Sequence, residues 1–375
     1  MKSGKLLFQL FFVFVSFCFL NACKPADHEP QKYNAQSNFI HYSGRTLLDS
    51  TGVQLIGSAS FARMKFAGDT CVIFLRNEAS GGGHNYVSLE LDGRYAGRLK
   101  IQNDSMKGYP LVIGADTLLK HILTVYKATE AANGNVIFGG ILCDSLSKLS
   151  ETPKKSIEFI GNSITCGYGD DYTEIPCDSG TWYDHHNAYF AYGPVVSRML
   201  KVKYMLSSVS GIGIYRNWNV KGPTMPQVYE NLYLNTDSSH RWDFSRFNPD
   251  VVSICLGTND FSDGDGVHKR LPFDDEAFTS TYIQFVETLY GHYPETQIAL
   301  LSSPMLSGEK SEQLIKCLKR VKAHFSDSGH KPIALFEFKD ITPHGCDYHP
   351  DIQDQELMAG QLYPFYKKLL DQTRQ

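Results

Sequence analysis

The sequence predicts an α/β chain in two folded parts, an N-terminal β-sandwich of jelly-roll-like type followed by a flavodoxin-like, three-layer α/β/α domain. Three observations predict it. From about Phe39 to Asp144, short runs that often alternate apolar with polar residues are divided by turn signals. Beyond Ser156, strand-like runs are instead separated by helix-length amphipathic stretches. The chain has 375 residues and 42% hydrophobic content, enough for two ordinary cores, and its 20% charged content is too low for a disordered protein.

Residues 1–23 have the order of an export signal. Lys2 and Lys5 precede the apolar stretch Leu6 to Leu20, and Leu20-Asn-Ala-Cys23 then leads small residues into a cysteine. The segment is short for a spanning helix, and it looks like a bacterial lipoprotein signal rather than an ordinary signal peptide or a single membrane anchor. On this reading Cys23 becomes the lipidated first residue, and residues 24–38, with Pro25 and Pro30, form a tether. The expected location is extracytoplasmic and lipid-anchored. Lys24 stands where an inner-membrane retention aspartate would be, which points to the outer membrane.

Residues 39–150 form the predicted sandwich. Its strands include Ser60–Phe66, Thr70–Leu75, Tyr86–Leu91 and His121–Tyr126, with turns at Ala67-Gly-Asp69, Gly81-Gly-Gly83, Asp92-Gly93 and Asn133-Gly134. Ser145 to Lys155, with Pro153, reads as the linker. In residues 151–375 the strand candidates are Ile157–Ile160, Lys203–Val209, Val251–Leu256, Gln297–Ser302 and Ile333–Phe338. Helices are expected at about 188–200, 274–293, 311–325 and 354–373. Five strands in this order predict a doubly wound parallel sheet, whose ligands sit beyond the carboxyl ends of the strands.

Charge and cysteine usage narrow the function classes. A net charge of −4 gives no basic footprint for nucleic acid, and a mean hydropathy of −0.26 leaves no room for a multi-span membrane protein. Small or neutral partners fit better. Setting aside Cys18 and Cys23 leaves seven cysteines, an odd number. Cys166 and Cys177 flank a Gly/Asp-rich loop and are either a disulfide pair or buried free thiols. There is no C-x-x-C, so a cysteine-based zinc or redox motif is not indicated.

Chemistry concentrates just after the predicted parallel strands. The run Ser156-Ile-Glu-Phe-Ile-Gly-Asn-Ser-Ile-Thr-Cys-Gly-Tyr-Gly169 ends a strand in a small-residue turn and sets the Ser163 hydroxyl at the lip of the sheet. Such a hydroxyl reacts only if one group removes its proton and others hold the oxyanion that forms. Candidates follow downstream in Gly211, Asn259, Asp347 and His349. His185-His186 and His344 with His349 lack a matching carboxylate pattern such as His-Glu-x-x-His, so they read as surface or core histidines. Neither metal nor organic cofactor is expected.

Gly161-Asn-Ser-Ile-Thr165, Gly211, Gly257-Thr-Asn-Asp260 and Asp347-Tyr-His-Pro350 resemble, in the right order, the four blocks of the SGNH (GDSL-type) hydrolases. The preceding sandwich, the phrase Lys127-Ala-Thr-Glu130 and the run Ser210-Gly-Ile-Gly-Ile-Tyr-Arg-Asn217 are similar to carbohydrate esterase family 2. The resemblance implies a membrane-tethered serine esterase that removes acetyl groups from plant polysaccharides such as xylan and glucomannan. It also implies that Ser163 attacks, that His349 is the general base, and that Asp347 orients the imidazole, although some family members work with a Ser–His dyad alone. The oxyanion hole would combine the Ser163 N–H, the Gly211 N–H and the Asn259 amide. Tyr215, Arg216, Trp218 and Trp182 are candidates for sugar contact, since aromatic faces stack on pyranose rings. One block departs from the pattern: Gly-Asp-Ser is here Gly-Asn162-Ser, which removes a negative charge beside the histidine and is expected to shift the pH optimum. The alternatives are a lipase-like or peptidoglycan O-acetyl esterase, and a carbohydrate-binding lipoprotein without turnover.

Overall fold

The computed structural model describes residues 29–113, 120–150, 153–219, 221–267 and 269–372. Cys23 and the first residues of the expected tether lie outside these. The N-terminal part is two six-stranded antiparallel sheets. In one sheet His121–Lys127 lies between Phe61–Ala67 and Asn85–Leu91; in the other Gly134–Cys143 pairs with Thr70–Ala79. The alternation seen in the sequence is the inside–outside period of these strands. Ala62, Met64 and Phe66 from one sheet and Cys71, Ile73 and Leu75 from the other meet in a common core, while Arg63 and Lys65 sit half-exposed. Asp92 and Gly93, at φ of 52° and 79°, make the tight turn from Asn85–Leu91 into Arg94–Ile101.

Two boundaries differ from expectation. Gln31–Asn34, inside the stretch read as a tether, is a strand paired with Gly140–Cys143, and Ala35 is buried in the sandwich core. It fills the edge that the shorter partner Val53–Leu55 leaves uncovered. Within the expected linker, Ser145–Ser147 continues the sheet of His121–Lys127 by pairing with Lys65–Ala67, burying Leu146.

The C-terminal part is a five-stranded parallel sheet in the order Lys203–Ser208, Ser156–Gly161, Val251–Cys255, Gln297–Leu301, Ala334–Phe336. This is the flavodoxin-like order expected from the sequence, and it places the reversal of strand order at Ser156–Gly161. The three central strands are buried on both faces and so read as largely apolar runs. Helices Asp275–His292 and Gly308–His324 cover one face, packing Phe278, Phe285 and Leu314 on Ile254 and Ile298. Helices Tyr192–Leu200 and Ile352–Gln372 cover the other, packing Tyr192, Met358 and Tyr366 on Phe159. Among the described residues no helix is long and apolar enough to cross a membrane.

Candidate active site

Ser163 opens a four-residue helix, Ser163–Cys166, directly beyond the strand Ser156–Gly161. Asn162 caps it through Oδ1, which accepts the Ile164 N–H at 3.1 Å. The turn demands glycine at 161, where a Cβ would lie 2.0 Å from Thr165 Oγ1. The resulting geometry keeps Ser163 only 7% exposed.

His349 arrives from the loop before the last helix, with Nε2 2.8 Å from Ser163 Oγ. Its other nitrogen faces backbone: Nδ1 lies 3.2 Å from the Cys346 carbonyl and 3.0 Å from the Asp347 carbonyl. Donation from Nδ1–H to those carbonyls leaves Nε2 as the acceptor for the serine proton. Burial lowers the His349 pKa below its ordinary value, and the two carbonyls and the Asp347 charge oppose the shift.

The expected role of Asp347 is therefore corrected. Asp347 and Tyr348 both adopt left-handed backbone, at φ of 52° and 61°. That turn brings the Asp347 carbonyl to the imidazole while the carboxylate accepts the Tyr168 hydroxyl at 2.6 Å. The loop is tied to the nucleophile's loop, since Cys346 N–H donates to the Gly169 carbonyl at 2.9 Å and Cys346 is disulfide-bonded to Cys177. The Cys166–Cys177 alternative is thus also corrected: Cys166 is a buried free thiol, 3.2 Å from Ser208 Oγ.

Beyond the neighbouring strand Lys203–Ser208, whose end pairs with Gly161, Gly211 adopts φ of 76° and faces open space. Asn259 is 6% exposed and donates through Nδ2 to the Ile212 carbonyl at 2.8 Å. One N–H of that amide is thereby fixed, which leaves the second for another acceptor. Asp260, pushed up to about 6 by burial against its backbone hydrogen bonds, accepts the N–H groups of Ile214, Tyr215 and Arg216. It holds the oxyanion loop in shape, a part that its place in Gly257-Thr-Asn-Asp260 did not announce.

The four sugar-contact candidates separate into two kinds. Tyr215 packs on Phe273 and Phe278 and accepts the Asp274 N–H, while Arg216 donates to the Asp260 and Leu271 carbonyls. Both are half-exposed, with these contacts holding them to the loop that Asp260 fixes. Trp218 and Trp182, 45% and 41% exposed, remain open. A cleft of about 630 Å³ runs from Ser210 and Gly211 past Trp218 to Glu78 and Asn135 of the sandwich. Trp182 lies parallel to Tyr168, whose ring is 4.4 Å from that of His349. Tyr168 was missed by sequence reasoning; its only signal was an aromatic residue between two glycines, Gly167 and Gly169, both at positive φ.

The sandwich supports both walls. Its Tyr86 and His84 bind the Asp184 carboxylate behind Trp182, and its Glu130 accepts from Ser210. His185 bonds the Pro176 carbonyl, and His186, lowered to about 3 chiefly by burial, packs between Tyr168 and Trp182. Among the described residues His344, Asp351 and Asp354 bring potential ligand atoms within 4.8 Å of one another. They are engaged in capping the last helix: Asp354 accepts the His344 and Asp351 N–H groups.

A serine hydroxyl 2.8 Å from an imidazole, just beyond the end of a parallel strand, is an arrangement that serves acyl transfer, so the fold and site together define an ester hydrolase. Comparison with known proteins agrees. Residues 157–362 match the GDSL-like Lipase/Acylhydrolase model, and the chain belongs to that family. Residues 42–153 match the carbohydrate esterase 2 N-terminal domain. The chain is 31% identical over 331 residues to the cellulase/esterase CelE of Acetivibrio thermocellus, covering 86% of this chain and 38% of that protein, so it spans little more than a third of this relative. It is 26% identical to an acetylxylan esterase / glucomannan deacetylase of Cellvibrio japonicus, covering 86% of this chain and 89% of the relative. Among solved structures it is similar to a family two carbohydrate esterase from Clostridium thermocellum in complex with cellohexaose, with a TM-score of 0.79, 29% identity, and coverage of 88% of this chain and 99% of that one.

Proposed function

We propose that the chain removes O-acetyl groups from plant cell-wall polysaccharides or their oligosaccharides, such as xylan and glucomannan. The observation that carries this reading is the 2.8 Å Ser163–His349 pair, with exposed Trp182 stacked on the Tyr168 ring beside His349 and exposed Trp218 in the cleft at Gly211. An open aromatic border suits a sugar ring carrying a small acyl group. The names of the relatives support the same substrate class. Ser163 Oγ attacks the acetyl carbonyl as its proton passes to His349 Nε2, and the oxyanion is met by the Ser163 and Gly211 N–H groups and the Asn259 amide. Collapse breaks the ester bond, and His349 gives the proton to the departing sugar hydroxyl. Water, deprotonated by His349, then attacks the acetyl-enzyme and releases acetate and free Ser163.

What supports an extracytoplasmic, lipid-anchored location is the sequence of residues 1–23 ending in Cys23, together with the Cys177–Cys346 disulfide, a bond that persists in oxidising compartments. The substrate reading is tested by acetate release from acetylated xylan and acetylated glucomannan. Release from at least one polymer is expected, and release from 4-nitrophenyl acetate alone would contradict it.

A further inference from the structure

The donors of an oxyanion hole must be held within about half an ångström, yet here the Ser163 and Gly211 N–H groups belong to different loops. One carboxylate touches both segments, at Ser210 and at Cys166, and it comes from the sandwich. Glu130 follows the strand His121–Lys127 and is 1% exposed. Its Oε2 accepts both the Ser210 N–H, at 2.8 Å, and the Ser210 hydroxyl, at 2.7 Å. The next peptide carries the Gly211 N–H, and the Gly211 carbonyl is fixed in turn by the Trp218 N–H at 2.8 Å. The same carboxylate meets the thiol of Cys166, which ends the helix that Ser163 begins.

The mount itself is stiff. Lys127 is fully buried, and its Nζ donates to the Thr129 and Glu130 carbonyls at 3.1 and 2.6 Å. Lys127 backbone exchanges hydrogen bonds with Ala59 and Ser60, and the Ala128 carbonyl accepts the Ala188 N–H of the hydrolase domain. Burying a carboxylate costs several kcal/mol unless its partners compensate, so one placed here is a poor filler and a good clamp.

We propose that Glu130 is a positioning residue for the oxyanion hole, so that the sandwich supplies a working part of the esterase site. This rests on the esterase reading. Glu130 touches no substrate; it fixes the peptide that presents the Gly211 donor relative to Ser163. Removing a whole oxyanion donor costs about 10²- to 10³-fold, and letting one drift should cost part of that, about 10- to 100-fold in kcat with KM within about twofold.

The test uses the full chain, with 4-nitrophenyl acetate as substrate and the sites counted by a fluorophosphonate label on Ser163. Glu130→Ala should lose kcat per labelled site by that factor, while Glu130→Gln, which keeps an acceptor of the same reach, should recover most of it. Should Glu130→Ala not fold, Ser210→Ala removes only the hydroxyl bond and should still lower kcat about threefold with KM unchanged. Unchanged kcat per labelled site in Glu130→Ala and Ser210→Ala, or a loss carried by KM alone, would overturn the proposal. Ser163→Ala, run alongside, separates the two failures: if it matches wild type the esterase reading is wrong, and if it alone is inactive only the role of Glu130 is wrong.

Discussion

Replacing Asp347 by asparagine separates two accounts of how the histidine is held. Asparagine tolerates the left-handed backbone, so the turn that delivers the carbonyl survives. Only the carboxylate's charge is lost, together with part of its contact with the Tyr168 hydroxyl. Since His349 Nδ1 is met by the Cys346 and Asp347 carbonyls, the tautomer stays correct in the variant. The expected fall in kcat/KM is about threefold, on the order of 0.6 kcal/mol of transition-state stabilisation. A carboxylate that itself orients the imidazole would cost about 10⁴-fold, on the order of 5 kcal/mol. Losing the Asp347 charge also removes an attraction that favours the imidazolium, so the acid limb of the profile should move slightly down in pH. The assay is kcat/KM for 4-nitrophenyl acetate across the acid limb in wild type and variant. A loss of a thousandfold or more in a folded Asp347→Asn protein would refute the carbonyl account.

Asn259→Ala should lower kcat by about 10²- to 10³-fold with little change in KM, measured by steady-state kinetics, because its amide faces charge that develops only in the transition state. The base must be neutral to act, and burial lowers the His349 pKa, so the acid limb of kcat/KM should have its midpoint below the ordinary histidine value of 6.5. A midpoint at or above that value would mean that the ring is better solvated than the structure has it.

The order of the parallel strands and the places of Ser163, Gly211 and Asn259 were legible because each follows a continuous apolar run, and such runs have few alternatives in a sheet covered on both faces, whereas His349 was legible through the run Asp347-Tyr-His-Pro350. What failed was everything that turns on backbone direction or distant pairing. Whether a carboxylate or a carbonyl meets Nδ1 depends on two positive-φ residues, Asp347 and Tyr348, neither of them glycine. Cys346 finds Cys177 across 169 residues, a connectivity that sequence spacing does not determine. Tyr215 and Arg216 stand near Gly211 in the chain, but that Asp260 takes the N–H groups of their loop depends on a contact 44 and 45 residues away. Gln31–Asn34 is too short and polar to advertise a strand, and only its distant partner, Gly140–Cys143, makes it one.

The central claim is that Ser163, activated by His349 through a 2.8 Å hydrogen bond, deacetylates polysaccharide. Acetate release from acetylated xylan and acetylated glucomannan, compared between wild type and Ser163→Ala, tests it most directly. The account predicts release by the wild type that disappears in the variant, and equal release or equal inactivity in the two proteins would contradict it.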